Sequence, residues 1–432
     1  MIQTGLIQNA HSDLTTDASF DFYGLRLATC GLDQRIKVWS LNEAQGTWSV
    51  EDDWKAHDAA VSKVAWAHPE FGTIIASSSF DRTVKIWEET SYVDSEQPQL
   101  NGPSSLSSSS KWTERAVLLD AKGTVRAVEF APHHFGLKLA TISSDNLLRV
   151  YECLEQPSLS TWQLSEEVDI LSLPSTSPVS NSMSHTVTQL TPTLTASTIE
   201  GATASLVSHA LQQQQQGQTT SRPGIGNREA DGGWCISWCK DRYWGEVIAA
   251  GCGVDGKVKI VQLSPSRRPS TLLTLDPSPT RSQDTNVPRT PGFPTTDGEH
   301  TTFAVTSVSW APSCGRSYQL IATGSRDGKV RIWRVKPPML HDDLEDGDGD
   351  TDGGEGTWSA SLVGEFDDHK SAVGRVEWNI TGTILSSAGN DGRVRLWKAT
   401  AGNVWRPAGH VSVEQAEELP PNSDVDEDAM AD

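Results

Sequence analysis

His, Ser or Thr, and Asp recur together along this chain in an order that could support nucleophilic chemistry. His57 stands ahead of Ser79 and Asp81, and His369 stands ahead of Ser387 and Asp391. Hydroxyl, imidazole and carboxylate are the parts of a hydrolytic triad, in which the imidazole takes the hydroxyl proton and the carboxylate orients the imidazole. An enzyme needs one such site, and here the constellation repeats. Repetition assigns it to structure: a buried His–hydroxyl–Asp–Trp network that locks the strand turns of a repeated unit. No G-x-S-x-G elbow, P-loop or H-E-x-x-H accompanies it.

Three other groupings invite a ligand and fall short on spacing. Asp348, Asp350, Asp352 and Gly353 mimic the opening of a calcium loop, but its twelfth position is Ser359 and no helices flank it. Cys235 and Cys239 in WCISWCKD lack a second Cys or His pair at zinc spacing. Their offset of four places both on one face of a strand, as packing residues. Lys37, Lys85, Arg149, Lys259, Arg331 and Arg395 recur at one register and could form a phosphate-binding ring. The repeat itself sets that register, which favours an ion-paired strand face. No catalytic, cofactor-binding or metal-binding residue is expected.

The elements that position these residues are six copies of one block. They read LATCGLDQRIKVW, IIASSSFDRTVKIW, LATISSDNLLRVY, IAAGCGVDGKVKIV, LIATGSRDGKVRIW and ILSSAGNDGRVRLW. Each holds an Asp (Asp33, Asp81, Asp145, Asp255, Asp327 and Asp391). Six positions on stands Trp39, Trp87, Tyr151, Val261, Trp333 or Trp397. Period-two apolar text precedes that residue, as in Ile36 and Val38 or Val394 and Leu396, and places one face against a neighbouring sheet. The Asp–Gly and Asp–Asn steps signal hairpins.

A further strand lies ahead of each block: FDF at 20–22, VAWAHP, VEFAP, ISW, VSWAP and VEWN. A looser fourth strand follows, from TWSVEDDW at 47–54 to VWRPAGH at 404–410. Four strands per repeat arranged around an axis make an all-β, six-bladed WD-repeat propeller.

The net charge of −21 is concentrated in two places. Residues 342–355 and 411–432 each carry eight acids and no base, and removing those sixteen charges leaves −5. The body is nearly balanced, which argues against direct nucleic-acid binding. No apolar run nears the ~20 residues of a membrane span. MIQTGLIQNAHSDL has neither the basic nor the apolar region of a secretory signal. The six scattered cysteines fit reduced, buried thiols.

The propeller is expected over 1–411, with an acidic disordered tail at 412–432. Insertions at about 94–110, 171–233, 277–300 and 340–356 lack the apolar residues to offset ordering entropy and read as disordered. They hold proline-directed steps at Ser177, Thr191, Ser278 and Thr290, and a fifth lies at Ser264, all candidate phosphorylation sites.

Strand counting raises a question of closure. Gly5–His11 (GLIQNAH) also reads as a fourth strand, one more than six blades need. One reading closes the ring with a redundant edge. The other leaves a slot for another protein's strands, added by β-augmentation, and the arithmetic favours it. Leu6, Ile7, Phe20 and Phe22 on blade one, and Val394, Leu396 and Trp397 on blade six, are then the candidate partner-binding residues.

The phrases WAHPEFG, FAPHHFGLKLAT and WNITGT, with the blades around them, resemble the Seh-type nucleoporins, homologues of the Sec-family vesicle-coat propeller. The resemblance covers blades one, two, three, five and six and thins in blade four. It implies a scaffold subunit of the Y-shaped nuclear pore complex at the nuclear envelope, completed in trans by a helical nucleoporin and supporting protein and mRNA transport. It also implies a share in a vacuole- or lysosome-associated nutrient-signalling complex. The alternatives are the outer-coat propeller of ER-derived vesicles and, more distantly, a ubiquitin-ligase substrate receptor, for which no adaptor-binding helix is visible.

Overall fold

The computed structural model describes residues 7–90, 111–156, 158–174, 231–263, 268–277, 303–337 and 358–412. Calls on the calcium-like aspartates, the proline-directed steps and most of the insertions fall outside these residues, as does Leu6.

The described residues form six antiparallel sheets of four strands, each in chain order. Blade one holds β1 (Thr15–Phe20), β2 (Arg26–Gly31), β3 (Arg35–Asn42) and β4 (Thr47–Lys55). Blade two holds β5 (Val61–Trp66), β6 (Ile74–Ser79), β7 (Val84–Glu89) and β8 (Trp112–Leu118). Blade three holds β9 (Val125–Phe130), β10 (Lys138–Ser143), β11 (Leu147–Cys153) and β12 (Trp162–Asp169). Blade four holds β13 (Gly233–Trp238), β14 (Val247–Gly253), β15 (Val258–Gln262) and β16 (Ser270–Leu275). Blade five holds β17 (Val305–Trp310), β18 (Gln319–Ser325), β19 (Val330–Lys336) and β20 (Ser359–Phe366). Blade six holds β21 (Val373–Trp378), β22 (Ile384–Gly389), β23 (Arg393–Ala399) and β24 (Trp405–Ser412). Among the described residues no α-helix occurs, and three single 3-10 turns, Pro69–Phe71, His133–Phe135 and Arg242–Trp244, each join a first strand to a second.

One device shapes the hairpin between the second and third strands of all six blades. The repeat Asp accepts the backbone N–H two residues on, from Arg35, Thr83, Leu147, Lys257, Lys329 and Arg393, at 2.9–3.2 Å. Such an Asx turn drives the intervening residue to positive φ. That residue is Gly256, Gly328 or Gly392 in three blades, but Gln34, Arg82 or Asn146 in the others. The carboxylate therefore holds ordinary side chains in a left-handed conformation that otherwise favours glycine.

Two expected elements differ. The first strand of blade one is Thr15–Phe20, so Phe22 lies beyond it in the following turn. The described part of the expected N-terminal strand, from Ile7 to Ala10, turns at Asn9 with positive φ instead of pairing. It leads into His11, which is buried against blade one on Thr29 and Asp33.

Candidate partner-docking seam

The His–hydroxyl–Asp–Trp network is present in three blades. His11 Nε2 meets Thr29 Oγ1 at 2.8 Å, the Trp39 indole donates to the same hydroxyl at 2.9 Å, and His11 Nδ1 faces Asp33 at 3.0 Å. Blade two repeats it with His57, Ser77, Trp87 and Asp81, and blade six with His369, Ser387, Trp397 and Asp391. The hydroxyl in blade two is Ser77, not Ser79. Ser79 sits two residues on, on the same strand face, and donates to the Ala60 carbonyl at 2.8 Å. The network hydroxyls Thr29, Ser77 and Ser387 each meet an indole and an imidazole and are buried away from any substrate.

Blades three and five have no histidine in this place, and the basic residue of the repeat substitutes for it. Arg149 pairs with Asp145 at 2.9 Å and Arg331 with Asp327 at 2.8 Å. Both also reach a fourth-strand carboxylate, Glu167 at 2.8 Å and Glu365 at 2.9 Å. Lys37 pairs with Asp53 and Lys85 with Glu114. Lys259, with its proton affinity lowered by burial, donates to the carbonyls of Ile170, Leu171 and Leu173 instead. The cationic ring is thus consumed blade by blade. Blade four carries only the Asp255 turn, with Val261 at the Trp position. Cys235 and Cys239 are buried in its core, which pushes both thiols up to about 12 and keeps them neutral.

Five interfaces join successive blades through their first strands: β1 with β5, β5 with β9, β9 with β13, β13 with β17, and β17 with β21. Each is built from recurring parts. The last residue of the incoming first strand is large and aromatic, and in three blades its indole donates to the preceding blade: Trp66 to Ser19, Trp238 to Glu129, and Trp378 to Ser309, at 2.9–3.2 Å. The apolar pair of the third strand in the preceding blade closes over it. A hydroxyl at the second position of the first strand reaches the next blade, as from Thr16 to the Val61 carbonyl at 2.5 Å and from Ser62 to Val125 at 2.6 Å.

Between blades six and one the same parts have nothing to pack on. Phe20 occupies the position of Trp238 and Trp310, yet it is 57% exposed where they are 0% and 1%. Val394 is 40% exposed where its counterpart Val330 is 0%. Leu396 is half-buried. The hydroxyl position of blade six is Gly374, with open space at its Cβ direction beyond ordinary contact with Asn390 and Ala388. Among the described residues, β21 and β1 make no strand packing comparable with the other five interfaces. Arg375 spans the inner end, donating to the Ala18 carbonyl at 2.6 Å and to Asp17.

The candidates therefore separate. Phe20 forms one wall, and Val394 and Leu396 the other. Trp397 belongs to neither: it is fully buried and stacked on Phe366 at 4.1 Å, facing blade five, because strand alternation puts it opposite to Val394 and Leu396. Phe22 is exposed, meets His68 edge-on at 4.9 Å, and lines with Phe20, Trp66, His68, Phe130 and His133 a groove of about 340 Å3 over the ends of the first strands of blades one to three, away from blade six. Ile7 is half-buried in the turn ahead of His11. Sequence reasoning missed Val50, which pairs with Trp39 and is 51% exposed. Its signal was an apolar residue inside an otherwise acidic fourth strand. Arg375 had no signal in the sequence.

Six four-stranded sheets sharing this Asp turn, three of them with the His–hydroxyl–Asp–Trp network, define a WD-repeat β-propeller. The WD domain, G-beta repeat family matches residues 4–40, 48–88, 294–334 and 360–398. Those are blades one, two, five and six, whereas blades three and four carry Tyr151 and Val261 in place of the Trp. Nucleoporin SEH1 of Saccharomyces cerevisiae is 31% identical over 440 residues, covering 94% of this chain and 99% of that protein. Nucleoporin seh1 of Schizosaccharomyces pombe is 31% identical over 96% of this chain and 98% of its own length. Human nucleoporin SEH1 is 33% identical over 92% of this chain and 85% of its own length. The chain belongs to the nucleoporin SEH1 family. No helix among the described residues is long and apolar enough to cross a membrane.

Proposed function

We propose that this chain is a non-enzymatic scaffold subunit of the Y-shaped nuclear pore subcomplex, and that a helical nucleoporin inserts strands at the seam between blades six and one. Backbone pairing would supply affinity and the alternating side chains of the inserted strands would supply specificity. The observation that carries this reading is the exposure of Phe20 and Val394, residues the repeat uses to bury every other interface. The names of its relatives support the pore as its place of work, with roles in pore assembly and in protein and mRNA transport. In this reading the same seam serves a vacuole-associated nutrient-signalling complex, one partner at a time.

The test is recovery of the tagged full chain from its own cells, compared with a Phe20→Asp, Val394→Asp variant. Stoichiometric helical nucleoporins with the parent, lost with the variant, are the expected result. Stoichiometric subunits of an ER vesicle coat, or partners retained by the variant, would overturn the proposal.

A further inference from the structure

Blade six carries positive charge that the repeat neutralises elsewhere. At the head of the third strand, Arg35 pairs with Asp53 at 2.6 Å, Lys257 with Asp276 at 2.8 Å, and Lys329 with Glu365 at 2.8 Å. In each case the carboxylate comes from the fourth strand or its end. The fourth strand of blade six, WRPAGHVS, contains no acid, and the equivalent Arg393 is exposed with no ion pair among the described residues. At the other end of the same ladder, Lys398 stands directly opposite Arg406. Like charges directly opposite on a strand pair repel, and both side chains are exposed without a carboxylate partner among the described residues.

Alternation places Lys398 on the face of Val394 and Leu396, and Arg406 opposite it on that same face, because Trp405 points the other way into the core with Trp378. Lys398 and Arg406 therefore rim the open seam, whereas Arg393 shares the face of Arg395 and Trp397. At closed interfaces the rim is stitched by ion pairs between blades, as from Arg26 to Glu89 at 2.8 Å and from Lys138 to Glu246 at 2.7 Å.

We infer that residues 413–432 dock on this wall in cis, placing their carboxylates against Lys398 and Arg406 and covering the seam of the unpartnered chain. The segment follows β24 directly and carries eight acids and no base. It starts beside Arg393, which pairs with Ser412. From there to Arg406 is the length of β24, roughly 20 Å at about 3.3 Å per residue. The acidic group Asp424, Asp426, Glu427 and Asp428 follows Ser412 by enough chain to reach roughly 40 Å when extended. Tethering supplies a local concentration in the millimolar range, which suffices for individually weak surface pairs. The inference deepens the seam reading by giving it an occupant to displace, but it is tested on the isolated chain, so the two can fail separately.

The experiment is zero-length carbodiimide coupling of the isolated full chain at low salt, with the joined peptides mapped by mass spectrometry. Within monomeric product, Lys398 is expected to be the preferred lysine joined to carboxylates of 413–432. Its yield should fall roughly fivefold or more in about 1 M NaCl, where the Debye length is ~3 Å. The full-chain variant Asp424→Asn, Asp426→Asn, Glu427→Gln, Asp428→Asn should lose that product and exchange its β24 amide hydrogens faster. Coupling spread evenly over other lysines, coupling found only between molecules, or unchanged β24 exchange in the variant would overturn the inference and leave the wall to an acidic segment of a partner.

Discussion

Asp391 and His369 show how a single carboxylate organises a blade and makes its stability depend on pH. Burial alone would raise the Asp391 carboxyl, but hydrogen bonds from Arg395 and His369 outweigh it and hold the group at about 2. The His369 imidazole is held below its ordinary value, chiefly by burial, with Arg395 opposing protonation and Asp391 favouring it. Both groups bind protons more readily in the unfolded chain, so both make stability fall with falling pH. The His369 contribution fades as pH drops below about 6.5, and that of Asp391 as pH drops below about 4. Urea midpoints measured from pH 8 to pH 5 should therefore decline, and His369→Gln should flatten that decline; an unaltered slope would mean that His369 is already charged in the fold. A second test concerns the turn. Gly328 and Gly392 share positive φ, but a Cβ on Gly328 would meet the His369 carbonyl at 2.6 Å whereas one on Gly392 meets nothing within 4 Å. Gly392→Ala should cost about 1 kcal/mol, the left-handed penalty alone, and Gly328→Ala clearly more, read from thermal melts. The repeat Asp was legible in the sequence because its spacing is invariant. The choice of Ser77 over Ser79 was not, since both hydroxyls lie on one face of β6 and only the depth of the turn separates them.

Third strands are the elements the sequence specifies best, because period-two apolar text, a turn-forming Asp and a terminal aromatic coincide there. First strands are less well marked. Their opening residues need not be apolar: in β1, Thr15 is exposed and Thr16 reaches the next blade. That is why β1 begins five residues ahead of the FDF text and why Phe22 falls outside it. The N-terminal segment resembled a fourth strand because a similar short run, LLDAKG, leads into blade three. Position in the ring, not element type, decides what a residue contributes. Phe20 and Trp238 occupy the same register of equivalent strands. Trp238→Ala should cost about 3–5 kcal/mol, as for other large buried aromatics. Phe20→Ala should change the stability of the isolated chain by no more than about 0.5 kcal/mol. Equal losses in paired denaturation curves would mean that Phe20 is covered in solution.

At the scale of the whole molecule, a propeller distributes its stability unevenly when one of its interfaces is missing. Blades two to five are covered on both faces by neighbours, and their second strands are buried almost throughout. Blade six is covered on one face, and β22 and β23 carry half-buried or exposed residues at positions buried in the other blades. An open sheet edge is the weak point of any β architecture, and local opening follows low burial and exposed backbone hydrogen bonds. Amide exchange should therefore be fastest in β22 to β24, intermediate in blade one, and slowest in β14 and β18. Arg375 is the one residue seen to bridge the inner end, through Asp17 and the Ala18 carbonyl, and its guanidinium is held more firmly charged by those neighbours and Glu377 than burial alone would allow. Arg375→Met keeps the apolar stem and removes the bridge. It should raise exchange in β1 and β21 by severalfold while leaving β10 and β14 unchanged. Uniform acceleration through all six blades would instead show that the ring opens as one cooperative unit, with blade six no weaker than the rest.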